Sequence, residues 1–230
     1  MRRVRNIVVL TGAGISAESG VPTFRGPDGL WEGQRIEDVA TPQAYARDPV
    51  LVQRFYDARR AALAWVEPNP AHFALARLDR EWGGDLLIVT QNVDDLHERA
   101  GTKRLVHMHG ELKSALCGGC GAVRVWCGKL CGAVACVCGG VWRPDIVWFG
   151  EMPYHMEQID AALATADLFV SIGTSGAVYP AAGFVDAARA AGAATFELNL
   201  DPSAGIALFD EARHGPAGML VPAWVDAVLG

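Results

Sequence analysis

The chain has 230 residues, about half of them apolar, and a formal net charge of −6 at neutral pH. That suffices for one α/β domain of ordinary size carrying a small insertion, and the acidic balance excludes the broad basic face that general nucleic-acid binding needs. No run of about 18 apolar residues is present, so no membrane span is expected; the basic start Met1–Arg5 leads into a strand rather than a signal-peptide core, and a cytoplasmic protein is expected.

The first apolar run, Ile7–Leu10, has strand length and feeds Gly12-Ala13-Gly14-Ile15-Ser16-Ala17, a G-x-G-x-x-A turn that opens a helix. Such a turn cradles the pyrophosphate of a dinucleotide. Gly12 permits the tight turn, Gly14 a close backbone approach to the phosphates, and Ala17 close helix–strand packing, while the helix N-terminus offers free N–H groups. A hydride-transferring enzyme of this kind would continue into a second strand ending in an acidic ribose ligand about 20 residues on. Here the segment 22–33 carries two prolines and three glycines and reads as a loop, and Glu32, Glu37 and Asp38 stand in no strand. The spacing therefore points to a bound dinucleotide without the layout of an NAD-dependent oxidoreductase.

A helical stretch over about 49–65 follows, flanked by breaks at Thr41-Pro42 and Pro68-Asn69-Pro70. Tyr56 and Arg59 lie three apart on it and share one face, where they could converge on an anion or simply form a charged helix surface. Strand-length runs recur at Leu86–Val89, Leu168–Ile172 and Ala194–Leu198, alternating with helical segments. That is the pattern of a parallel sheet covered on both faces. Ligands bind beyond the carboxyl ends of such strands, and Gly12-Ala13-Gly14, Gln91-Asn92, Gly173-Thr174-Ser175 and Asn199 all fall there. His107 and His109 share a face if their segment is extended, and Asp94 suits either a pocket or a helix N-cap. All six cysteines lie between Cys117 and Cys138, and Cys117-x-x-Cys120-Gly121 has the form of a zinc knuckle.

Several of these strings occur together and in order: GAGISAESGVPTFRG at 12–26, TQNVDDLH at 90–97, HMHGEL at 107–112, the cysteine segment, RPDIVWFGE at 143–151, GTS at 173–175 and ELN at 197–199. The chain resembles the sirtuin family of NAD-dependent protein lysine deacylases from about residue 5 to about residue 222. The resemblance implies an α/β fold: a Rossmann-like parallel sheet (about 1–30, 76–111 and 150–230), a helical insertion (about 31–75) and a zinc module (about 112–142).

It also implies roles for residues. NAD, consumed as co-substrate, would be held by Gly12, Ala13, Gly14, Ser16, Thr23, Gln91, Asn92, Asp94, Gly173, Thr174, Ser175, Asn199 and Ala217, with Phe24 and Arg25 on a loop over the nicotinamide. The acyl oxygen would attack the nicotinamide ribose carbon as nicotinamide leaves, forming an alkylimidate; His109 would then act as general base on a ribose hydroxyl that attacks it, giving free lysine and O-acyl-ADP-ribose. Val147, Phe149, Gly150 and Glu151 would pair with the substrate protein as an added strand. One structural zinc would sit on Cys117, Cys120, Cys136 and Cys138, with Cys127 and Cys131 as competitors for the third position.

Tyr56 and Arg59 match the pair marking the branch that acts on succinyl- and malonyl-lysine, and Ala40 matches the small residue that widens its acyl pocket. Desuccinylase and demalonylase activity beside deacetylation is therefore expected, with mono-ADP-ribosyl transfer as the alternative within the family. A zinc-ribbon module recruiting nucleic acid is opposed by the acidic charge.

Overall fold

The computed structural model describes residues 4–23, 31 and 33–230. Strand β1 (Asn6–Thr11) runs into the five-residue helix α1 (Ala13–Ala17). A helical module follows: α2 (Ile36–Val39), α3 (Pro42–Arg47), α4 (Pro49–Ala62) with a 3₁₀ turn at Leu63–Trp65, and α5 (Pro70–Glu81). Two of the prolines that read as breaks, Pro42 and Pro70, are helix starts, and Pro49 begins a helix as expected. Thr41, Asp48 and Asn69 each cap a helix through their side chains, with a proline next in line at the first helical position.

Next come β2 (Asp85–Thr90), α6 (Leu96–Ala100) and β3 (Leu105–His107), then β4 (Gly110–Cys117), β5 (Val123–Val125) and β6 (Trp142–Ile146). The chain returns through α7 (Met156–Ala164), β7 (Leu168–Ile172), α8 (Phe184–Ala190), β8 (Ala194–Asn199), β9 (Glu211–His214) and α9 (Ala217–Leu229). Among the described residues, no helix is long and apolar enough to cross a membrane.

The main sheet has the order β3-β2-β1-β7-β8-β9, and every pairing in it is parallel. All four strands expected from the sequence are present. Their alternation sorts side chains between two cores: Ile7 and Val9 join Leu75, Leu78 and Trp224 on one face, while Val8 and Leu10 join Ile159, Phe169 and Phe184 on the other. Among the described residues, no strand lies between β1 and β2, and five helices intervene. Most of the glycine- and proline-rich segment behind that expectation lies outside the described residues.

Strands β5-β4-β6 form a separate antiparallel sheet. The helical module packs on it through Val39, Ala44, Val52, Tyr56, Leu112, Ile146 and Trp148. A buried pair ties the two together. Arg60 bonds Asp57, and the Asp57 carboxylate accepts the backbone N–H groups of Leu130 and Cys131, at 2.8 and 3.0 Å.

The loop entering β3 is fastened to α5 by Asp79, whose buried carboxylate takes the guanidinium of Arg104 and the backbone N–H groups of Lys103 and Arg104. Burial alone would raise this carboxyl group; the Arg104 fork and the two N–H donors outweigh it and hold it below its ordinary value. A carboxylate depressed in the folded state adds stability above its unfolded pKa and loses it as pH falls through the folded one. Asp79→Asn is therefore expected to cost about 1–3 kcal/mol at pH 7 in denaturant unfolding, with the gap to the parent closing below about pH 4. An equal gap at pH 7 and pH 3 would remove ionisation from the explanation.

Candidate functional site

The strand order reverses between β1 and β7, and the crevice of such a sheet opens beyond that point. A cavity of about 800 Å³ lies there. The turn after β1 and the loop after β7 touch backbone to backbone: Gly12 N–H donates to Ile172 O at 2.9 Å and Gly14 N–H to Gly173 O at 2.8 Å. A Cβ on Gly14 would stand 2.7 Å from Gly173 Cα, so a glycine here is required by the contact between the two loops, and Gly14 also lines the cavity. The helix–strand packing expected of Ala17 is likewise not its role. Ala17 is exposed and lines the cavity, while Ile15 and Ser16 make the buried contacts of α1.

The cavity gathers nearly every residue that the sequence singled out. On the cradle side stand Gly12, Ala13, Gly14, Thr23, Gly173, Thr174, Ser175, Asn199 and Ala217; in the middle Gln91, Asn92, Asp94 and His109; at the far end Ala40, Tyr56, Arg59, Val147, Phe149, Gly150 and Glu151. Phe24 and Arg25 lie outside the described residues. Ser16 stands behind the wall. Its hydroxyl donates to Asp94 Oδ2 and accepts from the Asn92 amide, both at 3.0 Å. Asp94 lines the cavity and accepts Leu96 N–H at the start of α6, whose N-cap position is taken by Asp95 rather than Asp94. Burial pushes the Asp94 carboxyl up, against the Leu96 N–H and the Ser16 hydroxyl.

Two histidines missed by the sequence reading or left without a part complete this network. His72 accepts Asn69 N–H at Nδ1, which leaves the proton on Nε2, 3.4 Å from Ser16 Oγ. Burial drops its pKa to about 4, so it stays neutral. Its signal was the spacing Asn69-Pro70-x-His72, a capping box. His107 faces away from the cavity: Nδ1 bonds Asn92 O at 3.0 Å and Nε2 meets Glu98 at 2.6 Å.

His109 does face it. Nδ1 lies 3.2 Å from the carbonyl of Gln91, which can only accept, so the proton sits on Nδ1 and the Nε2 lone pair is free to act as a base. Burial lowers its pKa below the usual 6.5, and the Gln91 carbonyl opposes that shift.

The strip 147–151 follows β6 as irregular backbone. Val147 N–H bonds His109 O and Phe149 N–H bonds Ala40 O, so an added strand would find those two donors taken. The Glu151 carboxylate is chelated by Arg143 at 2.7 and 2.9 Å and accepts Trp148 N–H. At the end of the cavity formed by the helical module Tyr56 is fully buried, and the Arg59 guanidinium lies 4.1 Å over the Trp31 ring.

Away from the cavity, the sulfurs of Cys117, Cys120, Cys136 and Cys138 lie within 4.8 Å of one another, with 3.5 Å between Cys117 and Cys138 and 3.9 Å between Cys120 and Cys136. Tetrahedral zinc with four thiolates needs sulfurs about 3.7 Å apart. Gly119 N–H and Gly140 N–H point at Cys117 and Cys138 sulfurs. The Cys120 and Gly119 amides pull the Cys117 thiol down to about 6, the direction a metal ligand needs. The donor set thus fits one structural zinc, and Cys127 and Cys131 stand outside it.

A Rossmann-type sheet with a ligand cavity at its switch point, joined to a four-cysteine module, defines a dinucleotide-binding protein with a structural metal. The chain matches the Sir2 family over residues 12–180 and belongs to that family. A Caulobacter vibrioides protein named NAD-dependent protein deacylase is 55% identical, covering 100% of this chain and 99% of its own length. A Vibrio vulnificus protein of the same name is 56% identical over 98% of this chain and 94% of its own. Among solved structures, a Sir2 homologue in complex with NAD superposes with a TM-score of 0.89 at 40% identity, covering 97% of this chain and 90% of that one. A Sir2 homologue bound to ADP-ribose gives 0.90 at 40% identity, covering 96% and 91%.

Replacing Cys136 or Cys138 by serine is expected to release about one equivalent of zinc to a chromophoric chelator and to lower the melting temperature. Cys127→Ser and Cys131→Ser should keep the metal; zinc lost from either of these and retained in Cys136→Ser would move the site.

Proposed function

We propose that this NAD-dependent protein deacylase removes succinyl and malonyl groups from lysine as well as acetyl, releasing nicotinamide and O-acyl-ADP-ribose. The observation that carries the reading is the acyl end of the cavity, where the phenol of Tyr56 and the guanidinium of Arg59 line one buried space beside the small Ala40. A guanidinium removed from water favours a carboxylate that can take its planar fork, and a phenol adds a second donor. An acetyl group supplies no such partner. Tyr56 is held neutral by burial, so it donates rather than repels.

NAD supplies an anomeric carbon with nicotinamide as leaving group. The turns bearing Gly12-Ala13-Gly14 and Gly173-Thr174-Ser175 are suited to its phosphates, and Asn199, whose amide donates to Thr174 O at 2.7 Å, stiffens that side. Gln91, Asn92 and Asp94, fixed by Ser16, are placed to orient the nicotinamide ribose. His109 takes a proton at Nε2, and its lowered pKa keeps the base form available in mildly acidic solution. Substrate lysines reach the cavity beside Val147, Phe149 and Gly150. The Val147 carbonyl and the Gly150 amide, rather than the engaged N–H groups of Val147 and Phe149, suit an added strand.

Two results test this. On one peptide sequence carrying either acyl group, Arg59→Met should lower kcat/KM for succinyl-lysine about 10- to 100-fold and leave the acetyl rate nearly unchanged. A parallel fall in both would return Tyr56 and Arg59 to a structural role. The acid limb of kcat/KM should follow one proton with a midpoint below the usual histidine value of about 6.5; a midpoint above it would exclude His109 in its buried state as the base.

A further inference from the structure

We infer that Trp148 is a specificity-positioning residue that turns the Tyr56 hydroxyl into a committed hydrogen-bond donor, and so selects acyl groups ending in an acceptor such as carboxylate; this rests on the acyl-group reading above. The Trp148 indole N–H donates to the Tyr56 hydroxyl oxygen at 3.1 Å, with both side chains buried. A phenol has one proton to give and accepts on its oxygen. Because the indole can only donate, the oxygen must accept here and the phenol proton must point elsewhere. Among the described residues that proton meets no acceptor, and Tyr56 lines the cavity beside Arg59. A donor next to a cation suits an anion with oxygen acceptors and gives nothing to a methyl group.

Trp148 is itself held on several sides. Its backbone N–H bonds Glu151 at 2.8 Å, its ring lies 3.8 Å beneath the Arg143 guanidinium, and Arg143 is chelated by that same Glu151. Tyr45 packs against the ring at 5.1 Å. The indole therefore has little freedom to turn its N–H away from Tyr56. In the sequence, Trp148 is only a letter inside the string RPDIVWFGE; in the fold it lines the cavity together with Glu151, which also holds its backbone.

The experiment measures kcat/KM for succinyl- and acetyl-lysine on one peptide with the full chain, in the parent, Trp148→Phe, Tyr56→Phe and the double variant. Trp148→Phe should lower the succinyl-to-acetyl ratio about 10-fold, through KM for the succinyl peptide, and should lower it no further once Tyr56 is phenylalanine. An equal drop in both backgrounds would mean that Trp148 acts by packing, which overturns the inference. A ratio unmoved by Trp148→Phe but collapsed by Tyr56→Phe would overturn it while leaving the carboxylate reading intact. A parent ratio favouring acetyl and indifferent to Tyr56→Phe would overturn both. Should the phenylalanine variant fold poorly, benzothienylalanine at position 148 keeps the ring shape without the N–H and is read by the same ratio.

Discussion

The site depends on two loops that meet without side chains between them. At the switch point of the sheet, the turn after β1 and the loop after β7 are joined by backbone hydrogen bonds from Gly12 and Gly14, at a separation that admits no Cβ on either side. Gly173, in the left-handed region at φ +63°, closes the contact from the β7 side. This fixes the mouth of the cavity at the carboxyl ends of the central strands and sets the direction of α1. From α1, Ser16 reaches Asn92 and Asp94 beyond β2, and the loop that carries those residues holds His109 through the Gln91 carbonyl. The reacting end of the cavity is thus a chain of short polar contacts beginning at a glycine clamp.

The acyl end is built differently. It belongs to the helical module and the antiparallel sheet, which share one apolar core and the buried Arg60–Asp57 pair. Polar groups in that core are few and each is directed: the Trp148 indole toward Tyr56, Arg143 onto Glu151, Arg59 over Trp31. A buried donor without an acceptor is costly in a medium that cannot solvate it, and the proposed preference for a carboxylate rests on that cost at the Tyr56 hydroxyl. The zinc module stabilises the sheet from its far end, and none of its cysteines lines the cavity.

Much of this was legible in the sequence. The four central strands were apolar runs of the right length because strands of a parallel sheet are covered on both faces, and the ligand-facing residues followed directly after them. Cys136 and Cys138, the least regular part of the zinc motif, prove to be the pair that converges on Cys117 and Cys120. The misreadings share a cause. Ala17 stands where a generic dinucleotide turn has a packing residue, yet it faces the open cavity, whose walls come from distant parts of the chain. His72, Trp148 and the Asp57–Arg60 pair act through partners 56 to 92 positions away, and no local spacing reveals such contacts. The Thr41 and Asn69 caps show the converse: their signal is local, but the adjoining prolines read as breaks instead of helix starts.

The account stands most directly on where an acyl carboxylate sits. A crystal structure of the protein with a succinyl-lysine peptide and an unreactive NAD analogue would show it. The account places a carboxylate oxygen within hydrogen-bond reach, about 2.6–3.2 Å, of both the Tyr56 hydroxyl and the Arg59 guanidinium, with the Trp148–Tyr56 bond intact. A carboxylate turned to solvent, with Tyr56 and Arg59 making no contact to it, would contradict the account.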